Sequence, residues 1–126
     1  MRGLLDTSVV IARDAAALPE VAAISAATLA ELHFGVHLAR NDAARRARVR
    51  RLSEIEARFD PLPVDAAVAR SYGMLAHLVV VAGRRPRRRA MDLLIAATAH
   101  AHDVPLYTLN PSDFAGLDEE IEIVVA

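Results

Sequence analysis

The chain has 126 residues, 54% of them apolar, and a formal net charge of −1, the size and composition of one soluble domain spanning residues 1–126. It has no cysteine, which excludes disulfides, a thiol nucleophile and thiolate zinc sites. No apolar run reaches the ~18 residues a membrane-spanning helix needs, and the first residues carry no long apolar secretory segment, so a cytoplasmic protein with no membrane attachment is expected.

Residues 2–5 read as a short strand, interrupted by Asp6, Thr7 and Ser8 before a further apolar run. Asp6 has two readings: the cap of a helix that Val9 to Arg13 begins, or a member of a site. The stretch ARDAAALPE carries a short helix or a loop, and VAAIS at 21–25 is a second strand. From Ala26 to Ala39 the spacing is helical, with Leu29, Leu32, Val36 and Ala39 on one stripe. A second helix is expected from about Asp42 to Arg58, where Val49, Leu52, Ile55 and Phe59 recur at three or four residues, making a helical hairpin. Asp60-Pro61-Leu62-Pro63 breaks the pattern, and Asp65 is placed to cap a helix reaching about Val81, although LVVVA is β-branched enough to leave a strand open. Gly83 and RRPRRR read as an exposed loop, AMDLLIAATAHAHD as a helix, PLYTL as a strand, NPSDFAG as a turn-rich connection and IEIVV as a closing strand. Strands separated by helical segments predict an α/β fold with a mostly parallel sheet, whose ligands bind at the carboxyl ends of the strands.

All 15 basic residues are arginine. Arg40, Arg45, Arg46, Arg48, Arg50 and Arg51 form one cluster, and Arg84, Arg85, Arg87, Arg88 and Arg89 another. Either is a local positive field able to attract a polyanion, or a solvated face.

Four acids fall at element boundaries. Asp6 directly follows the first strand, and Asn110 and Asp113 follow the strand PLYTL. Glu31 lies about two turns into its helix, opposite the apolar stripe, and Asp92 heads a helix face shared with Ile95, Ala96 and Ala99. Each has a structural reading: TLAE spells a capping box from Thr28 to Glu31, Asp92 suits the positive end of its helix, and Asp113 suits a turn. Capping does not explain their convergence. Several carboxylates in one crevice need a cation, and a site of oxygen donors favours Mg²⁺ or Mn²⁺. Such an ion activates water and stabilises displacement at phosphorus, which is phosphodiester hydrolysis without a protein nucleophile.

Other constellations are weaker. His33 and His37 lie one turn apart with no third ligand evident for zinc. His100 and His102 cannot share a helical face. Ser8 sits in no G-x-S-x-G pattern. Aspartyl-phosphate chemistry at Asp6 would need a lysine, which the chain lacks, and the phosphatase motif wants an Asp where Ser8 stands.

The segments LLDTSVVI (4–11), ELHFG (31–35), DLLIAATA (92–99) and TLNPSDF (108–114) resemble, in this order, the PIN-domain nucleases, and most of all the VapC toxins of bacterial type II toxin–antitoxin pairs. The resemblance implies a three-layer α/β/α PIN fold, with Asp6, Glu31, Asp92 and Asp113 as the acidic quartet that holds Mg²⁺ or Mn²⁺. Asp6 and Asp92 match direct ligands, and Glu31 and Asp113 act through water or a second ion. Thr7, Ser8, Thr108 and Asn110 match polar residues that orient the acids, while Pro111 departs from the family pattern. A metal-dependent endoribonuclease that inhibits translation is implied, homodimeric and silenced by a cognate antitoxin. Arg84, Arg85, Arg87, Arg88 and Arg89 are candidates for contact with RNA or antitoxin. The alternatives are a PIN-like nuclease of RNA processing without an antitoxin, and a catalytically silent dimeric interaction module.

Overall fold

A computed structural model describes residues 2–12 and 15–126. Strand β1 (Arg2–Leu5) leads through Asp6 into a short helix, α1 (Thr7–Ile11). Strand β2 (Val21–Ile24) follows, then α2 (Ala26–His37), α3 (Asp42–Arg58), α4 (Ala66–Val81) and α5 (Ala90–Ala101), and finally β3 (Leu106–Thr108) and β4 (Ile123–Val125). Among the described residues the sheet has four strands in the order β2-β1-β3-β4, every pair parallel. From β1 the chain moves to β2 on one side, and from β3 to β4 on the other. The boundary between β1 and β3 is therefore the place where the winding reverses, and in folds of this kind ligands bind there, at the carboxyl ends of the strands.

Side chains alternate across the sheet with a period of two, which divides the core. Leu4 and its register partner Leu106 face one side and pack with Val68, Leu75 and Val79 of α4 and Leu93, Ile95 and Ala96 of α5. Leu5 and its partner Tyr107 face the other side with Ile24, packing on Val9 and Val10 of α1 and Ile55 of α3. Helices on both faces make the three-layer α/β/α architecture expected from the sequence. The uncertain run at 78–82 is helix nearly to its end, because Leu75 and Val79 lie one turn apart on the buried face of α4.

Most helix starts follow local chemistry. Ser25, Asn41 and Asp65 cap α2, α3 and α4 by accepting a backbone N–H with the side chain, which satisfies donors otherwise left orphaned. Ser25 as the cap places Thr28 inside α2, so the TLAE capping-box reading does not hold. The face of α2 that goes deepest is Ala27 and Thr28, whereas Leu29, Leu32 and Val36 of the expected stripe are only half-buried. Small residues win there because α2 approaches α5 closely: Ser25 Oγ and Thr98 Oγ1 stand 3.0 Å apart, both fully buried. Thr98 gives its proton to the Leu94 carbonyl at 2.8 Å, so Ser25 donates to Thr98 while accepting from the Ala27 N–H.

Two further expectations shift. The helix capped by Asp6 runs only from Thr7 to Ile11, so the stretch from Val9 begins no longer helix; Arg13 and Asp14 lie outside the described residues, and the rest of ARDAAALPE is not helical. The RRPRRR loop contains a single turn of 3₁₀ helix, Pro86–Arg89, running directly into α5, because Pro86 supplies the fixed φ of a first helical position.

Gly3 supports the second core by having no side chain. A β-carbon there would press into Cε1 of Tyr107, stand 2.8 Å from Cδ1 of the same ring and 3.0 Å from Cγ of Pro19. Gly3→Ala is therefore expected to destabilise the protein by about 1–3 kcal/mol through overpacking, measured as a lower urea midpoint with an unchanged slope.

Candidate active site

The site at the β1–β3 boundary is built around Asp6. Its backbone N–H donates to the Tyr107 carbonyl at 3.0 Å, which continues the β1–β3 pairing. The residue is buried at 5% exposure, and both carboxylate oxygens are hydrogen-bonded. Oδ1 accepts from Ser8 Oγ at 2.6 Å and from the Val9 N–H at 3.1 Å, and Oδ2 accepts from Thr108 Oγ1. The two readings of Asp6 are thus compatible: one oxygen caps α1 while the other meets the end of β3.

The neighbouring hydroxyls each act twice. Ser8 Oγ donates to Asp6 and accepts from the Leu109 N–H at 3.1 Å, and Thr108 Oγ1 donates to Asp6 and accepts from the Asn110 N–H at 2.9 Å. Asn110 therefore enters this network through its backbone, with its residue exposed. Thr7 Oγ1 donates to Glu31 Oε1 at 2.7 Å and lies 3.2 Å from Thr28 Oγ1, which ties α1 to α2. Thr28 itself was missed as a site neighbour in the sequence, where its spacing to Glu31 spelled a cap.

Asp92 stands in the first turn of α5 and Asp113 in the 3₁₀ turn Pro111–Phe114, where Pro111 occupies the first position. Asp92 is not a cap, since Arg89 holds that position without a side-chain cap bond. Burial raises the Asp92 carboxyl from 3.8 to about 6, and the charges of Asp113, Glu31 and Asp6 add to the rise, against Arg89, which lowers it. The rise records four acids from β1, α2, α5 and the segment after β3 within electrostatic reach of one another.

The cation facing them is Arg89. Its Nη1 donates to Asp113 Oδ1 at 3.0 Å and lies 3.9 Å from Asp92 Oδ2. Arg89 thus differs from its neighbours: Arg84, Arg85 and Arg88 are exposed and line a shallow cleft with it, and Arg87 is exposed as well. On the far side of Glu31, Thr7, Ile11, Leu32, Arg48, Arg51 and Leu52 border a cavity of about 400 Å³. Arg51 there donates to the Val10 carbonyl at 3.0 Å, and Arg48 to the Gly35 carbonyl.

Among the described residues, no three acids or histidines converge tightly enough to grip one ion as they stand. The donor chemistry nonetheless suits a hard divalent cation: the four acids supply oxygen donors, Asp6 is held in one orientation, and the charge is strongly negative. The histidines lie elsewhere. His33 pairs with Glu56 at 3.3 Å. His100 Nδ1 meets Ser71 Oγ at 2.8 Å with Glu120 at 3.8 Å from its other nitrogen, joining α5 to α4 and the segment before β4.

This arrangement has close relatives. The PIN domain model matches residues 4–120. Ribonuclease VapC5 of Mycobacterium tuberculosis is 38% identical over 130 aligned positions, covering 97% of this chain and 93% of its own. Ribonuclease VapC8 of the same species is 42% identical, covering 77% of this chain and 89% of its own. Among solved structures, the VapBC-5 member of the VapBC toxin–antitoxin family from M. tuberculosis superposes with a TM-score of 0.87 at 39% identity, covering 99% of this chain and 98% of that one. With the quartet's acids, the parallel sheet and this likeness over nearly the whole length, the chain belongs to the PIN-domain family, among the VapC ribonucleases.

Proposed function

We propose that this protein is the endoribonuclease toxin of a type II toxin–antitoxin pair, acting in the cytoplasm as a single PIN domain and a homodimer. It hydrolyses RNA phosphodiester bonds, inhibits translation and is neutralised by a cognate antitoxin. The observation that carries the reading is the clustering of Asp6, Glu31, Asp92 and Asp113 at the β1–β3 boundary, in a chain 38% identical to Ribonuclease VapC5 across 97% of its length. The same likeness favours it over a silent interaction module. No helix among the described residues is long and apolar enough to cross a membrane.

Asp6 and Asp92 would hold Mg²⁺ or Mn²⁺ directly, with Glu31 and Asp113 acting through water or a second ion. When bound, the ion would lower the pKa of water and stabilise the charge that develops on phosphate oxygens. The protein's own contribution is orientation. Ser8 and Thr108 fix both oxygens of Asp6, and Thr7 fixes Glu31, so the acids meet an ion without losing rotamer freedom at that moment. The exposed Arg84, Arg85, Arg87 and Arg88 beside α5 are placed to meet the RNA backbone or an acidic antitoxin segment.

Three outcomes test this reading. Purified protein should cleave defined tRNA, rRNA or mRNA with Mg²⁺ or Mn²⁺ and lose that activity in chelator. Asp6→Asn and Asp92→Asn should each lower cleavage by at least ~100-fold while the circular dichroism spectrum stays unchanged; Asn caps helices as well as Asp does, so α1 is kept. Thr108→Val should cost about 10–100-fold in cleavage by freeing Asp6. Undiminished cleavage in chelator or in Asp92→Asn would refute the metal site.

The raised Asp92 carboxyl also predicts a pH dependence of stability. Its native value near 6 exceeds the ordinary 3.8, so between those values the folded protein binds more protons than the unfolded chain. Stability from this group is highest at low pH and falls as the pH rises through that window. In chelator at pH 7.5, Asp92→Asn should therefore be more stable than the parent by about 1 kcal/mol, after discounting for the side chain's partial exposure. The advantage should close as the pH falls below 4, as read by thermal unfolding.

A further inference from the structure

Arg89 is in the wrong place by every local rule. It occupies the N-cap position of α5 and makes no capping bond there, and it puts a positive charge at the positive end of the helix dipole. Such a conflict between local preference and global placement calls for a compensating interaction. The compensation is visible: Nη1 binds Asp113 Oδ1 at 3.0 Å, approaches the Asp113 carbonyl at 3.4 Å and lies 3.9 Å from Asp92 Oδ2. The exposed Arg84, Arg85, Arg87 and Arg88 on the same stretch of chain have no contact of this kind with the acids.

We propose that Arg89 is a resident counter-cation of the acid cluster, which a divalent ion must displace to bind. The inference rests on reading the four acids as a metal site. A guanidinium has five donors and no lone pair for a metal, so it cannot share in coordination. It occupies Asp113 Oδ1, stands 3.9 Å from Asp92 Oδ2, and its charge repels the incoming cation. Displacement requires no backbone change, because the side chain is long, about a third exposed, and opens toward the arginine-lined cleft. Arg89 is thus a positioning residue: it holds Asp92 and Asp113 together against their repulsion, at the expense of metal affinity.

Calorimetric titration of Mn²⁺ into the purified protein at pH 7.5 tests this with parent, Arg89→Gln, Arg89→Lys and Asp92→Asn. Arg89→Gln is expected to bind Mn²⁺ about tenfold more tightly than the parent, the size of one lost charge repulsion at this separation in a partly exposed site. It should also melt lower than the parent in EDTA and recover with Mn²⁺. Arg89→Lys, which keeps the charge, should remain near the parent. Nitrogen-15 spectra of the arginine side chains give a readout that does not depend on a neutral variant folding. The Arg89 Nε–H signal, assigned by its loss in Arg89→Lys, should move to the exposed-arginine position on adding Mg²⁺. If the parent binds Mn²⁺ and Asp92→Asn does not, yet Arg89→Gln binds no more tightly or the signal stays in place, the displacement is wrong and the metal site stands. If the parent does not bind, or Asp92→Asn binds as the parent does, the metal site and the displacement fall together.

Discussion

Asp6 and Thr108 are separated by 102 residues of sequence and joined by a hydrogen bond between a buried carboxylate and a buried hydroxyl. Much of the site is arranged about that contact. It exists because β1 and β3 are parallel neighbours at the point where the strand order reverses, so their carboxyl ends emerge side by side. A buried carboxylate is tolerated only when it is hydrogen-bonded, and here Ser8 and the Val9 N–H donate to one oxygen and Thr108 to the other. The same bonds fix its direction.

Around this anchor the fold must hold three further carboxylates that repel one another. It does so from rigid elements. Glu31 is held by Thr7, and α2, which carries it, is pinned to α5 by the Ser25–Thr98 pair in the core. Asp92 sits on α5, whose opposite end is tied to α4 through Ser71 and His100. Asp113 follows β3 on a 3₁₀ turn started by Pro111, which takes the first position of the turn, where its missing N–H is no loss. Burial first, and then the remaining repulsion, raise the Asp92 carboxyl to about 6, and Arg89 partly offsets them.

Much of this was legible in the chain because it is local. The helices from Asp42 to Arg58 and from Ala66 to Val81 follow from apolar spacing and from Asp65 as a cap, and the alternation of strands and helices implied a parallel sheet. What misled was also local. TLAE has the spelling of a capping box, but the cap is Ser25, and the stripe Leu29–Leu32–Val36 is less buried than Ala27 and Thr28 because close approach to α5 favours small residues. Periodicity identifies the apolar face of a helix; it does not say how near the next helix comes.

By itself the sequence determined which groups are available: four acids, hydroxyls beside the first and last of them, no cysteine or lysine, and arginine as the basic residue throughout. These choices exclude thiolate ligands, and the four acids offer oxygen donors. Only the tertiary structure decided how the groups are paired, because pairing depends on distances between segments far apart in the chain. Within one run of five arginines that composition cannot distinguish, Arg89 alone turns inward onto Asp92 and Asp113, since it stands where the 3₁₀ turn meets α5. Asp6, ambiguous as a letter between cap and site residue, caps α1 with one oxygen and meets the end of β3 with the other, because a carboxylate has two oxygens and the fold directs each to a different partner.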